Sequence, residues 1–146
     1  LAYSDPFGPT PNPVGSPVNI VIDKVGAAFL VAFTAAASIG VMTGYNAATN
    51  VTHTAAAVVR NKKIGGAIGY GLLDSSATLP TAPVLDVVFA AGLTGAITTG
   101  EEITGALEDL EGSIILPPGA YAAIYTSTAS GTNSMSASFS WTEVPV

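Results

Sequence analysis

The last third of the chain, residues 112–145, constrains the fold more than any other part, because strand-like runs and turns alternate there. Residues 113–116 (SIIL) are a short apolar run that ends at Pro-Pro-Gly, residues 117–119. Neither proline can donate a hydrogen bond to a neighbouring strand, and glycine takes positive φ without strain. Residues 120–128 then alternate in side-chain character until Ser-Gly-Thr-Asn at 130–133 reverses the chain. The pattern predicts a strand, a turn, a second strand and a second turn.

The final strand-like run, residues 134–142, repeats with a period of two. Hydroxyl-bearing side chains alternate with an apolar set, which is Met135, Ala137, Phe139 and Trp141. A period of two with one apolar face is typical of a half-buried strand. Further strands are predicted at 18–23, 27–34, 40–45, 51–60, 64–73, 84–90 and 94–99, with residues 60–63 as the turn of a long hairpin and residues 106–111 as a single helical turn or loop.

The number of strands defines the fold class. About eight to ten short strands, separated by glycine and proline, predict an all-β protein in which antiparallel strands form a β-sandwich or a barrel. A jelly roll is the sandwich that fits this count, and 146 residues are enough for one core. We predict a β-sandwich (jelly-roll) domain over residues 18–146, preceded by an extended Pro-rich arm over residues 1–17.

The arm has half of the prolines of the chain, and no helix or central strand can form in it. Tyr3, Phe7 and Val14 give it apolar anchors that free disordered tails usually lack. Because proline already restricts φ, ordering this segment on a partner costs less conformational entropy than usual. We predict that the arm binds a neighbouring subunit or a shell protein through these three side chains. The first residue is Leu1, so we expect the sequence to belong to a longer or processed product.

Charged residues make up only 10% of the chain, well below the usual share, and the net charge is −6. A monomer of this composition would expose a large uncharged surface, which predicts a homo-oligomer or a host lattice. All four basic residues lie in the first 63 positions, whereas the chain after Lys63 has eight acids and no base. Arg60, Lys62 and Lys63 are therefore a possible interface with the acidic side of a neighbouring copy or of a larger partner, with a solvated hairpin tip as the alternative. Four bases cannot supply the phosphate contacts that nucleic acid binding requires.

The uncharged run at residues 25–42 approaches the length of a membrane span. Alanine, glycine, Thr34 and Ser38 dilute its hydrophobicity, and neither a basic cluster nor an aromatic belt flanks it. We interpret the run as a buried strand that continues toward 39–43, so we predict no membrane partner. The chain has no cysteine, which excludes disulfides and thiolate metal sites and leaves the compartment undefined.

The search for catalytic, metal and cofactor motifs gives no candidate residue. His53 is the only histidine, so a Ser-His-Asp relay would depend on it alone, and we expect it to pack at a strand edge. No phosphate loop, dinucleotide fingerprint or nucleophile elbow is present, and no cofactor is predicted. An acidic group is formed by Glu101, Glu102, Glu108, Asp109 and Glu111. Its spacing matches no calcium loop, so we interpret it as a solvated loop. Cation binding and a carboxylate pair for glycoside hydrolysis remain open alternatives. The aromatic residues are expected to pack in the core or at interfaces, with a sugar groove as the alternative; they are Tyr45, Tyr70, Tyr121, Tyr125 and Trp141.

Three segments resemble a group of small structural proteins of tailed bacteriophages: YNAATNVTHTAAAVVRNK at 45–62, EGSIILPPGAYAAIYTSTA at 111–129 and SMSASFSWTEVPV at 134–146. In that group an asparagine follows a strand and precedes a hairpin, a Pro-Gly turn follows an apolar run, and the last strand has Trp-x-Glu near its end. The resemblance covers roughly residues 40–146, and it is one of pattern and composition. It implies a jelly-roll virion protein, often trimeric, that decorates a capsid or lies in a fibre or tail tip.

The functional prediction is a non-enzymatic virion structural protein, a capsid decoration or cement protein that binds the phage capsid shell and its own copies, as a homotrimer. The alternative from another class is a receptor- or glycan-binding tip of a phage fibre or tail. A jelly-roll enzyme is the third hypothesis. The capsid protein would be present in many copies per particle, and the tip protein in few copies with an exposed aromatic groove.

Overall fold

The computed structural model describes residues 10–29, 37–92, 105–127 and 135–146. The described residues form strands connected by turns and irregular segments, with no helix among them, and every paired strand is antiparallel. The predicted all-β class and the antiparallel sheets are thus confirmed. Within these ranges no helix has the length and apolar character of a membrane span. The strands are β1 (Thr10–Pro11), β2 (Val18–Phe29), β3 (Ala37–Tyr45), β4 (Thr52–Ala56), β5 (Asp74–Thr78), β6 (Val84–Gly92), β7 (Gly105–Leu116), β8 (Ala120–Thr126) and β9 (Met135–Pro145).

Two larger sheets share one hydrophobic core. The first has the strand order β1-β8-β3-β6 and the second β7-β2-β9, while β4 and β5 form a separate pair. Residues of β2 point into the core on both sides of its irregularity at Asp23, where Ile20, Ile22 and Val25 are fully buried. They belong to the same cluster as Val41 of β3 and Ile124 of β8. The core therefore lies between β2 of one sheet and the β3–β8 pair of the other.

The predicted helical turn or loop at residues 106–111 is wrong, because these residues lie in β7. The pairing between β2 and β7 is irregular at one point, where residues 110–113 lie opposite the single residue Asp23. Glu111 has φ 49° and Gly112 has φ 73°, so both adopt the left-handed conformation that lets the extra residues loop out. The strand continues on both sides of the bulge, so the left-handed backbone at these two residues does not end it. The bulge also explains why β2 is one strand to Phe29 and does not end at residue 23.

The bulge predicts a stabilising substitution, Glu111→Asn. Asparagine tolerates the left-handed region better than glutamate does, so we expect the free energy of unfolding to rise by about 0.5–1 kcal/mol. Glu111→Gln is the matched control, because it removes the same charge and keeps the strain. Denaturant unfolding of the three proteins measures the effect, and equal stability of the two variants would contradict this explanation.

Two more predicted strands differ from the structure. The 51–60 prediction is shortened to β4, and residues 64–73 form no strand. The reason is the close approach of their glycines to β9: a Cβ on Gly69 would lie 2.3 Å from a Glu143 carboxylate oxygen. Residues 57–73 form an irregular connection between β4 and β5, with a turn closed by the Gly66 N–H donating to the Lys63 carbonyl at 2.8 Å.

The remaining predicted strands fall on observed ones where the structure describes them. Residues 40–45, 84–90 and 113–116 lie in β3, β6 and β7. The strand predicted at 120–128 is β8, which ends at Thr126, and the described part of the strand predicted at 134–142 lies in β9. The described parts of the uncharged 25–42 run belong to β2 and β3. The predicted strand at 94–99 lies outside the described residues, and so do residues 30–34 of the 27–34 prediction.

The second half of the Pro-rich segment packs on the sheets. Thr10 and Pro11 pair with Ala122 and Tyr121 of β8, so β1 is a two-residue edge strand. Asn12 follows it and is 1% exposed. Its Nδ2 donates to the carbonyls of Val18 and Leu116, both at 2.8 Å, which ties the segment to the start of β2 and the end of β7.

Candidate partner-binding surface

The three predicted arm contacts are placed differently. Tyr3 and Phe7 lie outside the described residues. Val14 is 36% exposed, and its backbone N–H donates to Oδ1 of Asn50 at 2.7 Å. A Cβ placed on Gly119 would lie 3.4 Å from a Val14 methyl group. Val14 therefore contacts its own domain on one side and solvent on the other.

The three predicted interface residues Arg60, Lys62 and Lys63 lie together on the irregular residues 57–73, here called the 57–73 segment. The carboxylate of Glu143 on β9 holds this segment, since it accepts hydrogen bonds from the backbone N–H of Tyr70 at 3.0 Å and of Gly71 at 2.8 Å. The Lys62 ammonium donates to the hydroxyl of Ser140, also on β9. Because β9 is at the end of the β7-β2-β9 sheet, the segment covers a strand edge that would otherwise be open.

A cleft of about 370 Å³ lies between the 57–73 segment and β9. One wall includes the side chains of Arg60 and Lys62, and the other includes Phe139 and Trp141. The Trp141 indole N–H donates to Glu143 at 3.4 Å, which orients the ring. Cationic and aromatic groups that face each other suit a ligand or a partner segment with polar and flat apolar parts.

Large apolar side chains of the 57–73 segment are exposed to solvent. Ile64, at the turn, is 95% exposed, Val58 is 76% exposed and Ile68 is 70% exposed. Single exposed apolar residues are common on protein surfaces, and this segment has three of them within eleven residues. These side chains add little buried area to the domain and are accessible to another molecule.

The basic residues near the β7-β2-β9 sheet differ in whether a carboxylate neutralises them. Lys24 on β2 donates a hydrogen bond to Asp109 on β7, and this bond raises the pKa of Lys24 and lowers the pKa of Asp109. Among the described carboxylates none forms an ion pair with Arg60, Lys62 or Lys63. The basic residues of the 57–73 segment thus keep their charge available for another molecule.

The expectation that His53 packs at a strand edge agrees with its position in β4, and the structure adds a partner that the sequence did not indicate. His53 Nδ1 lies 2.7 Å from Oδ2 of Asp74, whose side chain is fully buried, while 41% of the histidine side chain is exposed. The other oxygen, Asp74 Oδ1, has no hydrogen-bond partner among the described residues. The pair fastens β4 to the start of β5.

Three members of the acidic group lie among the described residues. Glu101 and Glu102 lie outside the described residues, whereas Glu108, Asp109 and Glu111 are on β7. In the part of the chain that the structure describes, no three His, Asp or Glu side chains are grouped closely enough to hold a metal ion. On β7 these carboxylates are part of a sheet edge, in place of the loop that the sequence indicated.

The comparisons with known proteins add no relative. No protein-family model, curated protein or solved structure matches this chain. The features of the molecule that bear on its function are therefore the 57–73 segment, the cleft beside it and the sheet edges.

The contact of Glu143 with the segment gives a prediction. In Glu143→Ala the two backbone N–H groups lose their acceptor, so we expect the free energy of unfolding to fall by about 1–3 kcal/mol and residues 57–73 to exchange their amide hydrogens faster. Glu143→Gln keeps one acceptor oxygen and should lose about half as much. Hydrogen exchange with mass spectrometry measures the local effect. Unchanged exchange at residues 57–73 would show that other contacts hold the segment.

Proposed function

We propose that this protein is a non-enzymatic virion structural protein, a capsid decoration or cement protein that binds the shell of a tailed bacteriophage and its own copies. The observation that carries the proposal is the 57–73 segment, with its exposed apolar residues and its unpaired basic residues on a rigid all-β scaffold. A protein of low charge content gains solubility when such a surface is covered in an assembly.

The strand pairing supports the finer part of the fold prediction, a β-sandwich of the jelly-roll type. β2 pairs with β9, and β3 pairs with β8, so the antiparallel pairs are nested along the chain. Nested pairs divided between two facing sheets are what a jelly-roll chain produces. The shared core of β2, β3 and β8 supports the facing arrangement.

The arm supports attachment to a larger structure. Its second half is fixed to the domain by the Asn12 side chain and by β1, so residues 1–9 start from a defined point at the edge of β8. Tyr3 and Phe7 precede that point and are the two aromatic anchors for a shell protein. Aromatic anchors that fill pockets often dominate the affinity of an interface.

The test is the abundance and position of the protein on the phage particle. A decoration protein is expected in hundreds of copies, which is on the order of the number of shell subunits that a closed lattice of repeated contacts contains. Quantitative mass spectrometry of purified virions gives the copy number, and electron cryomicroscopy gives the position. A few copies confined to the tail would contradict the proposal.

The arm can be tested on the same particles. Removing residues 1–9 leaves Asn12 and β1 in place, so the domain should stay folded while its occupancy on particles lacking the native copy falls. Phe7→Ala should account for much of the loss, and Val14→Ala, at a side chain that contacts its own domain, is the matched control. Full occupancy of the truncated protein would assign attachment to the domain alone.

A receptor- or glycan-binding tip is the second candidate, because the cleft places Trp141 and Phe139 opposite Arg60. Aromatic faces beside polar groups suit a sugar ring. A glycan array with the wild type and Trp141→Ala tests this function. Binding that depends on Trp141, together with few copies per particle, would favour the tip over the decoration protein.

A further inference from the structure

The two edges of the β7-β2-β9 sheet have opposite charges. The edge beyond β9 is covered by the 57–73 segment, and we call its exposed end the basic tip, made of Arg60, Lys62, Lys63 and Ile64. The edge at β7 is here called the acidic edge, made of Leu107, Glu108, Glu111 and Ile115. Both surfaces combine charge with exposed apolar side chains: Ile64 is 95% exposed, and Leu107 on the acidic edge is 72% exposed.

Neither surface is neutralised within the described residues. The ion pairs found there are Lys24 with Asp109 and His53 with Asp74. In the first of these pairs Lys24 and Asp109 neutralise each other. No ion pair within the described residues neutralises Arg60 and Lys63 on the basic tip, or Glu108 and Glu111 on the acidic edge. In the described strands β7 has a neighbour on one side only, β2. An edge strand of this kind has unpaired backbone groups on its outer side, which suit a partner.

We propose that the basic tip of one copy docks on the acidic edge of a second copy. A second copy is favoured over another molecule because the two surfaces of one chain are complementary. The basic tip has positive charges, the acidic edge has negative charges, and both have exposed apolar side chains. Opposite charges across an interface set the register and the rate of association, and the apolar side chains supply buried area.

The symmetry of the contact follows from its two surfaces. Because the tip and the edge lie at opposite ends of the β7-β2-β9 sheet, we expect the tip of one copy to contact the edge of the next in a head-to-tail arrangement, and such contacts generate closed rings when the rotation between copies closes. The trimer expected from the sequence is one such ring. The inference rests on the self-association that the proposed function includes, and it names the surfaces that make it.

The experiment exchanges the charges in the purified protein, without phage particles. The tip variant is Arg60→Glu with Lys63→Glu, the edge variant is Glu108→Lys with Glu111→Lys, and the swapped variant has all four substitutions. The swapped variant has the net charge of the wild type, which separates a local contact from a general effect of charge. Sedimentation equilibrium measures the dissociation constant of each, and the thermal transition confirms that each is folded.

We expect the tip variant and the edge variant each to weaken self-association by about tenfold or more, which corresponds to about 1.4 kcal/mol. The swapped variant should regain the affinity of the wild type to within about threefold, a residual difference of about 0.6 kcal/mol. Ile64→Ser, at a side chain that the fold does not bury, should also weaken association and serves if a charge variant does not fold. A wild-type monomer would overturn the inference, as would a tip or edge variant that associates like the wild type or a swapped variant that remains as weak as its parents. A monomer that still decorates particles would contradict the binding of its own copies but leave the binding of the capsid shell standing, so the two failures are distinguishable.

Discussion

Replacing Gly40 with alanine should lower the free energy of unfolding by about 3 kcal/mol, the upper end of what overpacking a core usually costs. Gly40 lies in β3, between β6 and β8, where the register with β6 shifts. A Cβ there would lie 2.1 Å from the carbonyl oxygen of Val87 and 3.1 Å from the Cα of Val88. These are backbone atoms, so relief requires β6 to move away from the sheet.

Gly26→Ala is the matched control for Gly40→Ala. It also adds one methyl group to the interior of a strand, β2, but its Cβ would meet the Ser138 hydroxyl at 2.8 Å, and that side chain can rotate away. We expect its cost to stay within about 1 kcal/mol. Denaturant unfolding of both variants measures the two decreases in the free energy of unfolding. Equal decreases would contradict the prediction, because they would mean that β6 moves to accommodate the methyl group at little cost.

Replacing Asn12 with alanine should lower the free energy of unfolding by about 2–3 kcal/mol. The buried amide donates two hydrogen bonds, and without it the carbonyls of Val18 and Leu116 each lose a hydrogen bond at a buried site. The Pro-rich segment would lose its strongest attachment to the domain. We therefore expect residues 10–17 to become sensitive to protease in the variant.

Two further variants test the cause of the Asn12 effect. Asn50→Ala removes an acceptor that holds the same segment at an exposed position, through the Val14 N–H, and should cost about 1 kcal/mol or less. Asn12→Asp keeps the shape but places a carboxylate against two carbonyl oxygens, so it should be at least as damaging as alanine at neutral pH. An Asn12→Asp variant as stable as the wild type would refute the assigned direction of these hydrogen bonds.

The strands that the sequence predicts well are those whose period is visible without their neighbours. Residues 120–126 and 135–142 alternate in side-chain character along the sequence, and turn residues bound them, so local chemistry is sufficient to predict a strand. Residues 64–73 also show a strand-like pattern, but their glycines serve the approach to Glu143, a residue about seventy positions later in the chain. Residues 106–111 of β7 have no clear strand period, and only the pairing with β2 shows that the strand runs through them.

The candidate surface could be predicted in part. Charge alone identifies Arg60, Lys62 and Lys63, since no base follows them. The cleft could not be found in this way, because its second wall is a strand near the end of the chain and no spacing rule joins the two. The same holds for His53 and Asp74, which β-pairing brings together across 21 positions.

The pairing of β2 has a consequence for the order in which the molecule forms. Both neighbours of β2 come much later in the chain, because its partners are β7 (Gly105–Leu116) and β9 (Met135–Pro145). During synthesis the first long strand has no hydrogen-bonding partner until more than two-thirds of the protein has been made. Contacts so distant in sequence close slowly, since the entropy of a long loop must be lost first. We expect the ribosome-bound chain to lack the β7-β2-β9 sheet until β7 emerges. Until then the unpaired β2 can pair with another nascent copy, which the chain must avoid.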